Sequence, residues 1–119
     1  MANKVLAPKS EEFSLRIIKL YKYLQDEKRE FIMSKQLLRS GTSIGANLHE
    51  AIYAQSTADL VSKYHISLKE ASETAYWLRL PHKSQLLTDE EYKSIIKDCD
   101  VLIRLLTSSL KTIEQNKNK

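Results

Sequence analysis

A chain of 119 residues has the length of one domain, and two glycines and two prolines leave little of what loops are made from. Its net charge is only +4, it has one cysteine and it has no apolar run long enough for a bilayer. An internal disulfide and a membrane span are therefore excluded, and a single helical domain over 1–119 in the cytoplasm is expected.

The opening Met1–Pro8 is too short and too weakly apolar for a signal peptide. The first helix is predicted over about 10–25. Ser10 is placed as its N-cap, and Glu11 and Glu12 suit the positive end of the helix dipole. Phe13, Ile17, Leu20, Tyr21 and Leu24 form its inward stripe, with Arg16, Lys19 and Lys22 on the other side. Asp26–Glu30 reads as a polar connection.

The second helix is predicted over about 32–55 and contains both glycines, Gly41 and Gly45. Leu37, Gly41, Ile44, Leu48, Ile52 and Gln55 recur at spacings of three and four, so one face runs through the glycine segment. Glycine costs a helix roughly 1 kcal/mol against alanine, and a loop at Gly41 is the alternative. The unbroken period and the absence of a nearby proline favour a continuous helix with little side-chain bulk. Another helix can approach such a surface closely. Ser40, Ser43, Asn47, Glu50 and Ala54 make a second stripe, expected to be buried against a neighbour.

The third helix is predicted over about 58–80, with Pro81 stopping it. Leu60, Tyr64, Leu68, Ala71, Ala75 and Leu78 point inward, and Ile66, Glu70, Glu73 and Trp77 form a second stripe. A short connection at Ser56-Thr57 makes helices two and three antiparallel neighbours. That fold brings Arg39 and Ser40 beside Glu73, and Ser43 and Asn47 beside Ile66 and Glu70. Arg39, Ser43 and Asn47 are the expected donors to the two glutamates.

The fourth helix is predicted over about 89–115. Thr88 and Glu91 have capping-box spacing, and Leu87 and Tyr92 are placed as a hydrophobic staple. Tyr92, Ile96, Cys99, Ile103, Leu106, Leu110 and Ile113 repeat at spacings of four and three, a heptad seam. The tail Asn116–Lys119 is expected to fray. Together the four helices predict an all-α, antiparallel up-down-up-down four-helix bundle.

Catalytic signatures are missing. Ala46, Ser62 and Arg79 stand three residues before His49, His65 and His82, so no inward Glu-x-x-His pair exists for a di-iron centre. The zinc spacings, a nucleophile elbow and a phosphate loop are absent too. No metal, cofactor or catalytic residue is expected. Cys99 lies on an apolar helix face and reads as a buried small hydrophobe.

Charge carries the remaining signal. Residues 1–39 hold nine Lys and Arg against five Asp and Glu, while the rest of the chain is balanced. A local basic excess points to a polyanion, and its alternative is an ordinary solvated helix face. Arg16, Lys19, Lys22, Lys28, Arg29, Lys35 and Arg39 are the candidate phosphate contacts, with no base-reading motif beside them. Tyr23 is a candidate for base stacking, Tyr21 being better explained as core.

Gln36-Leu37-Leu38-Arg39-Ser40-Gly41-Thr42-Ser43-Ile44-Gly45-Ala46-Asn47-Leu48-His49-Glu50-Ala51 resembles the signature helix of the 23S rRNA-intervening-sequence protein family. Ile66-Ser67-Leu68-Lys69-Glu70-Ala71-Ser72-Glu73-Thr74-Ala75-Tyr76-Trp77-Leu78 resembles that family's third helix. Leu48 replaces a usual isoleucine and Ala51 a frequent glycine. The resemblance implies a four-helix bundle without established enzymatic activity and a homo-oligomer, a pentamer in known members. It also implies a nucleic-acid-associated role for some relatives; the related accessory variability determinant proteins partner a reverse transcriptase. Ser40, Gly41, Ser43, Gly45, Asn47, Glu50, Glu70, Glu73 and Trp77 are the candidate structural or oligomer-interface residues.

Three functions follow as alternatives. The first is an oligomeric scaffold that holds RNA or DNA through phosphates, with a nucleoprotein such as a reverse transcriptase as a candidate partner. The second is a protein-binding adaptor with no nucleic-acid role. The third is an enzyme using Glu50, Glu70 and Glu73, for which neither a pocket nor a substrate is legible.

Overall fold

The computed structural model describes residues 3–117. Four helices follow one another, α1 Leu6–Asp26, α2 Met33–Ile52, α3 Thr57–Lys83 and α4 Asp89–Lys117. Each packs on its neighbour in sequence, and α1 also meets α4, while among the described residues the diagonal helices bring no Cα atoms within 8 Å of each other. Short connections between long helices leave antiparallel packing as the outcome, an up-down-up-down bundle. The described part measures 51 × 22 × 19 Å.

The core is one apolar cluster. α1 contributes Leu6, Phe13, Ile17 and Leu24, and α2 contributes Leu37, Ile44 and Leu48. Leu60, Tyr64, Ala71 and Leu78 come from α3, and Ile95, Cys99, Leu102, Leu106 and Ile113 from α4. The buried ridge of α4 is therefore turned from the expected seam. Ile96, Ile103 and Leu110 flank the core where Ile95, Leu102 and Ser109 enter it. Both rows repeat every seven residues, so the period alone does not distinguish them. Leu20, Tyr21 and Leu68 are half-buried rather than central, and Ile52 and Gln55 are exposed because α2 ends at Ile52.

The start of α1 differs from its expected place. The helix begins at Leu6, behind Val5, which makes no side-chain cap. Asn3 instead accepts the Val5 N–H through Oδ1 at 2.9 Å, and its own N–H donates to the Tyr64 hydroxyl at 3.0 Å. Pro8 fits because the first turn's N–H groups have no helical partner anyway. Ser10 is not a cap: it is fully buried, and its hydroxyl donates to the Ala7 carbonyl at 2.7 Å.

α3 also runs past Pro81, to Lys83. Proline at a helix's last turn removes one backbone bond rather than several. The ring is buried, and the Pro81 carbonyl accepts the Leu86 and Leu87 N–H groups at 2.8 and 3.1 Å, which turns the chain toward α4. The α4 cap is as expected: Thr88 N–H donates to Glu91 Oε1 at 2.8 Å, and Glu91 N–H to Thr88 Oγ1 at 3.1 Å. Leu87 is buried and Tyr92 packs against the core; Tyr92 also stacks on His82, with ring centroids 4.2 Å apart. Asn116 and Lys117 continue the helix, and Asn118, Lys119, Met1 and Ala2 lie outside the described residues.

Candidate nucleic-acid interface

The glycines lie inside α2, and their neighbour is α1. A Cβ on Gly41 would stand 2.8 Å from Ile17 Cγ1, and one on Gly45 3.2 Å from Ser10 Oγ. Both are buried. This close crossing holds the N-terminal half and middle of α1 against the middle of α2.

The second stripes of α2 and α3 meet on another flank. Arg39 reaches Glu73, and it lies 3.4 Å from Glu70 Oε2. The Trp77 indole N–H donates to Glu73 Oε2 at 3.1 Å, and Gln36 Oε1 accepts from Arg39 Nε at 3.1 Å. The Glu70 side chain is only 12% exposed, and the guanidinium beside it is its ion-pair partner. Ser43 and Asn47 do not serve the glutamates. They donate to the carbonyls of Arg39 and Ser43 in their own helix, at 2.6 and 2.9 Å. Glu50 departs from the expected burial: it lies in the last turn of α2, is exposed, and faces Lys63 at 3.5 Å.

A deeper polar row was legible in the sequence only at Ser40, in the second stripe of helix 2. Ser40 and Thr74 are fully buried, and the Thr74 hydroxyl donates to Ser40 Oγ at 2.9 Å. Ser67 Oγ donates across to the Ile44 carbonyl at 3.0 Å. Ser34 and Glu30 were missed as well: Glu30 accepts the Ser34 N–H at 2.8 Å and the Ile32 N–H at 3.2 Å, so a carboxylate caps α2. Alternation of small polar and apolar residues in helices 2 and 3 was the available signal.

The seven candidate cations separate into two groups. Arg16 and Arg39 are committed within the fold. Arg16 ties α1 to α4, with Nη1 2.6 Å from Asp98 Oδ2 and Nη2 donating to Ser94 Oγ at 2.9 Å. Among the described residues, Lys19, Lys22, Lys28, Arg29 and Lys35 form no ion pair. All five are exposed. They lie in sequence along the second half of α1, the connection and the first turn of α2. Arg29 adopts a φ of 55°, and its guanidinium stands 5.4 Å from the Phe31 ring centroid.

The α1–α4 contact is the sparsest of the bundle. Beside the Arg16 clasp it opens into a groove of about 500 Å³, lined by Lys19, Leu20, Tyr23, Leu87 and Ile95 among others. Among the described residues no three His, Cys, Asp or Glu side chains are grouped to hold a metal ion, and no helix is long and apolar enough to cross a membrane.

A solved structure from Bacteroides thetaiotaomicron VPI-5482, a protein with unknown function from the S23 ribosomal protein family, superposes with a TM-score of 0.90. It is 52% identical, over 93% of this chain and 99% of that one. No curated protein matches the chain. The model of the 23S rRNA-intervening sequence protein family matches residues 3–108. The length of that match and the shared four-helix frame carry one conclusion: the chain belongs to the 23S rRNA-intervening sequence protein family.

Proposed function

We propose that this protein is a non-enzymatic, homo-oligomeric cytoplasmic scaffold that holds nucleic acid through its phosphates without reading sequence. The observation that carries the reading is the run of Lys19, Lys22, Lys28, Arg29 and Lys35, exposed and without carboxylate partners among the described residues. Cations on a rigid frame attract phosphates and release their counterions, a driving force that is indifferent to base sequence. The family's own name refers to an rRNA element. Resemblance to the accessory variability determinant proteins adds a nucleoprotein such as a reverse transcriptase as a partner.

Assembly is supported by exposed apolar side chains. Leu15, Phe31, Ile32, Ile52 and Tyr53 are all exposed, and all belong to α1, α2 or their adjoining connections. The same residues favour the adaptor as a second reading. Glu70, Glu73 and Glu50 are engaged by Arg39, Trp77 and Lys63, which supports a structural role for them.

Mobility shift with structured RNA and duplex DNA at low salt tests the proposal. Retardation that disappears as salt rises, and that weakens when Lys19, Lys22 and Lys28 become Gln, is expected. No shift with either nucleic acid, together with a protein partner captured after nuclease treatment, would leave the adaptor standing instead.

A further inference from the structure

The groove between α1 and α4 combines features that the charge run alone does not. Its lining includes the apolar Leu20, Leu87 and Ile95 and the half-buried aromatic side chain of Tyr23. Lys19 stands on its α1 rim. The Lys28 ammonium is 5.9 Å from the Tyr23 ring centroid, so a second unpaired cation stands beside the same ring. Arg16 closes one end through Asp98 and Ser94. Glu91 is the acid on the α4 rim, and its Oε1 already accepts the Thr88 N–H.

The volume of about 500 Å³ lies within the range of small-ligand clefts. An occupant that matches it has a flat apolar face for the Tyr23 side and negative charge for Lys19 and Lys28. Nucleobases joined by phosphates have both. A paired duplex hides its base faces in its own stack, so only an unpaired strand can offer one. Resting on the nucleic-acid reading above, we infer that this groove seats an unpaired base of a single-stranded polynucleotide, stacked on Tyr23, with flanking phosphates on Lys19 and Lys28. The protein therefore prefers single strands to duplexes.

Fluorescence anisotropy with labelled oligouridylate, the matching oligodeoxythymidylate and a duplex of equal length tests this at constant low salt. The single strands are expected to bind more tightly than the duplex, and comparison of the two strands tells RNA from DNA. Tyr23→Ala should weaken single-strand binding roughly five- to a hundredfold, the range of one lost base–aromatic stack. Tyr23→Phe should retain it, and competition by heparin, a polyanion without bases, should be unaffected by Tyr23→Ala. Amide shifts of the wild-type protein on adding oligouridylate should centre on Lys19, Tyr23 and Ile95, a readout independent of any variant's folding. Equal affinity for strand and duplex with no response to Tyr23→Ala would overturn the groove while leaving phosphate binding intact. Absence of all binding would overturn the parent reading itself.

Discussion

Gly41 shows most plainly how one residue decides the packing. Its missing side chain leaves room for Ile17, a β-branched residue with no exposed surface. Alanine there would gain roughly 1 kcal/mol of helix propensity but lose about 1–3 kcal/mol to overpacking. Gly41→Ala is therefore expected to lower the Tm, measured by circular dichroism. Gly45→Ala meets the Ser10 and Ser14 hydroxyls at 3.2 and 3.4 Å and Ser10 Cβ at 3.6 Å, and should cost less. A raised Tm for Gly41→Ala would contradict the close crossing. Cys99 gives a second test at this scale. Burial first, and the charge of Asp100 second, push its thiol up to about 12 from an ordinary 9.0, and its Sγ donates to the Ala71 carbonyl at 3.3 Å. The thiolate is the reactive form, so a thiol reagent at neutral pH should label the denatured chain and leave the native one unmodified. The glycine face and the buried cysteine were legible because both follow the helical period. The buried roles of Ser10, Ser34, Ser67 and Thr74 were not, because a serine reads alike as a cap, a surface residue or an internal donor.

Elements stop and start where their end groups find partners. The α4 start was legible because its cap is made by side chains at fixed spacing, Thr88 and Glu91. The α1 start was not, because Val5 caps nothing and Asn3 does the work from two residues upstream. The α3–α4 corner also carries a hydrogen-bonded contact between His82 Nε2 and Asp89 Oδ1 at 2.6 Å. The hydrogen bond from His82, then its charge, hold the Asp89 carboxyl below its ordinary 3.8. A lowered carboxylate contributes stability that is present above its unfolded pKa and lost as pH falls through the folded value. Asp89→Asn should therefore shrink the loss of stability on the acid side, below about pH 4, in urea melts at several pH values. An unchanged acid limb would contradict the pair. On the α2–α3 flank, Arg39→Ala leaves Glu70 buried without its cation and should cost about 1–3 kcal/mol. Adding Glu70→Gln should return part of that loss, and strictly additive effects in the double variant would show that the two do not interact.

At the scale of the whole molecule, the helices form a ring with three well-packed contacts and one sparse one. The four-helix frame was readable from four periodic segments and short connections. The sparse α1–α4 seam was not, since no residue pattern states how closely two non-consecutive helices approach. The basic excess of residues 1–39 was readable as a count. Its division was readable only in part: the Arg39 contacts with Glu70 and Glu73 follow from the α2–α3 turn, whereas the Arg16–Asp98 pair depends on the approach of α1 to α4, which no residue pattern states. What remains is a frame on which Lys19, Lys22, Lys28, Arg29 and Lys35, unpaired among the described residues, share α1, α2 and their adjoining connections with exposed Leu15, Phe31, Ile32, Ile52 and Tyr53. Assembly would multiply the cations on one particle and raise its avidity for a polyanion. Light scattering of the purified protein at low salt, with and without structured RNA, weighs both properties together. A mass that is a multiple of the 13.8 kDa chain, and a heavier particle once RNA is added, are the predicted results. A single-chain mass that RNA leaves unchanged would contradict the account.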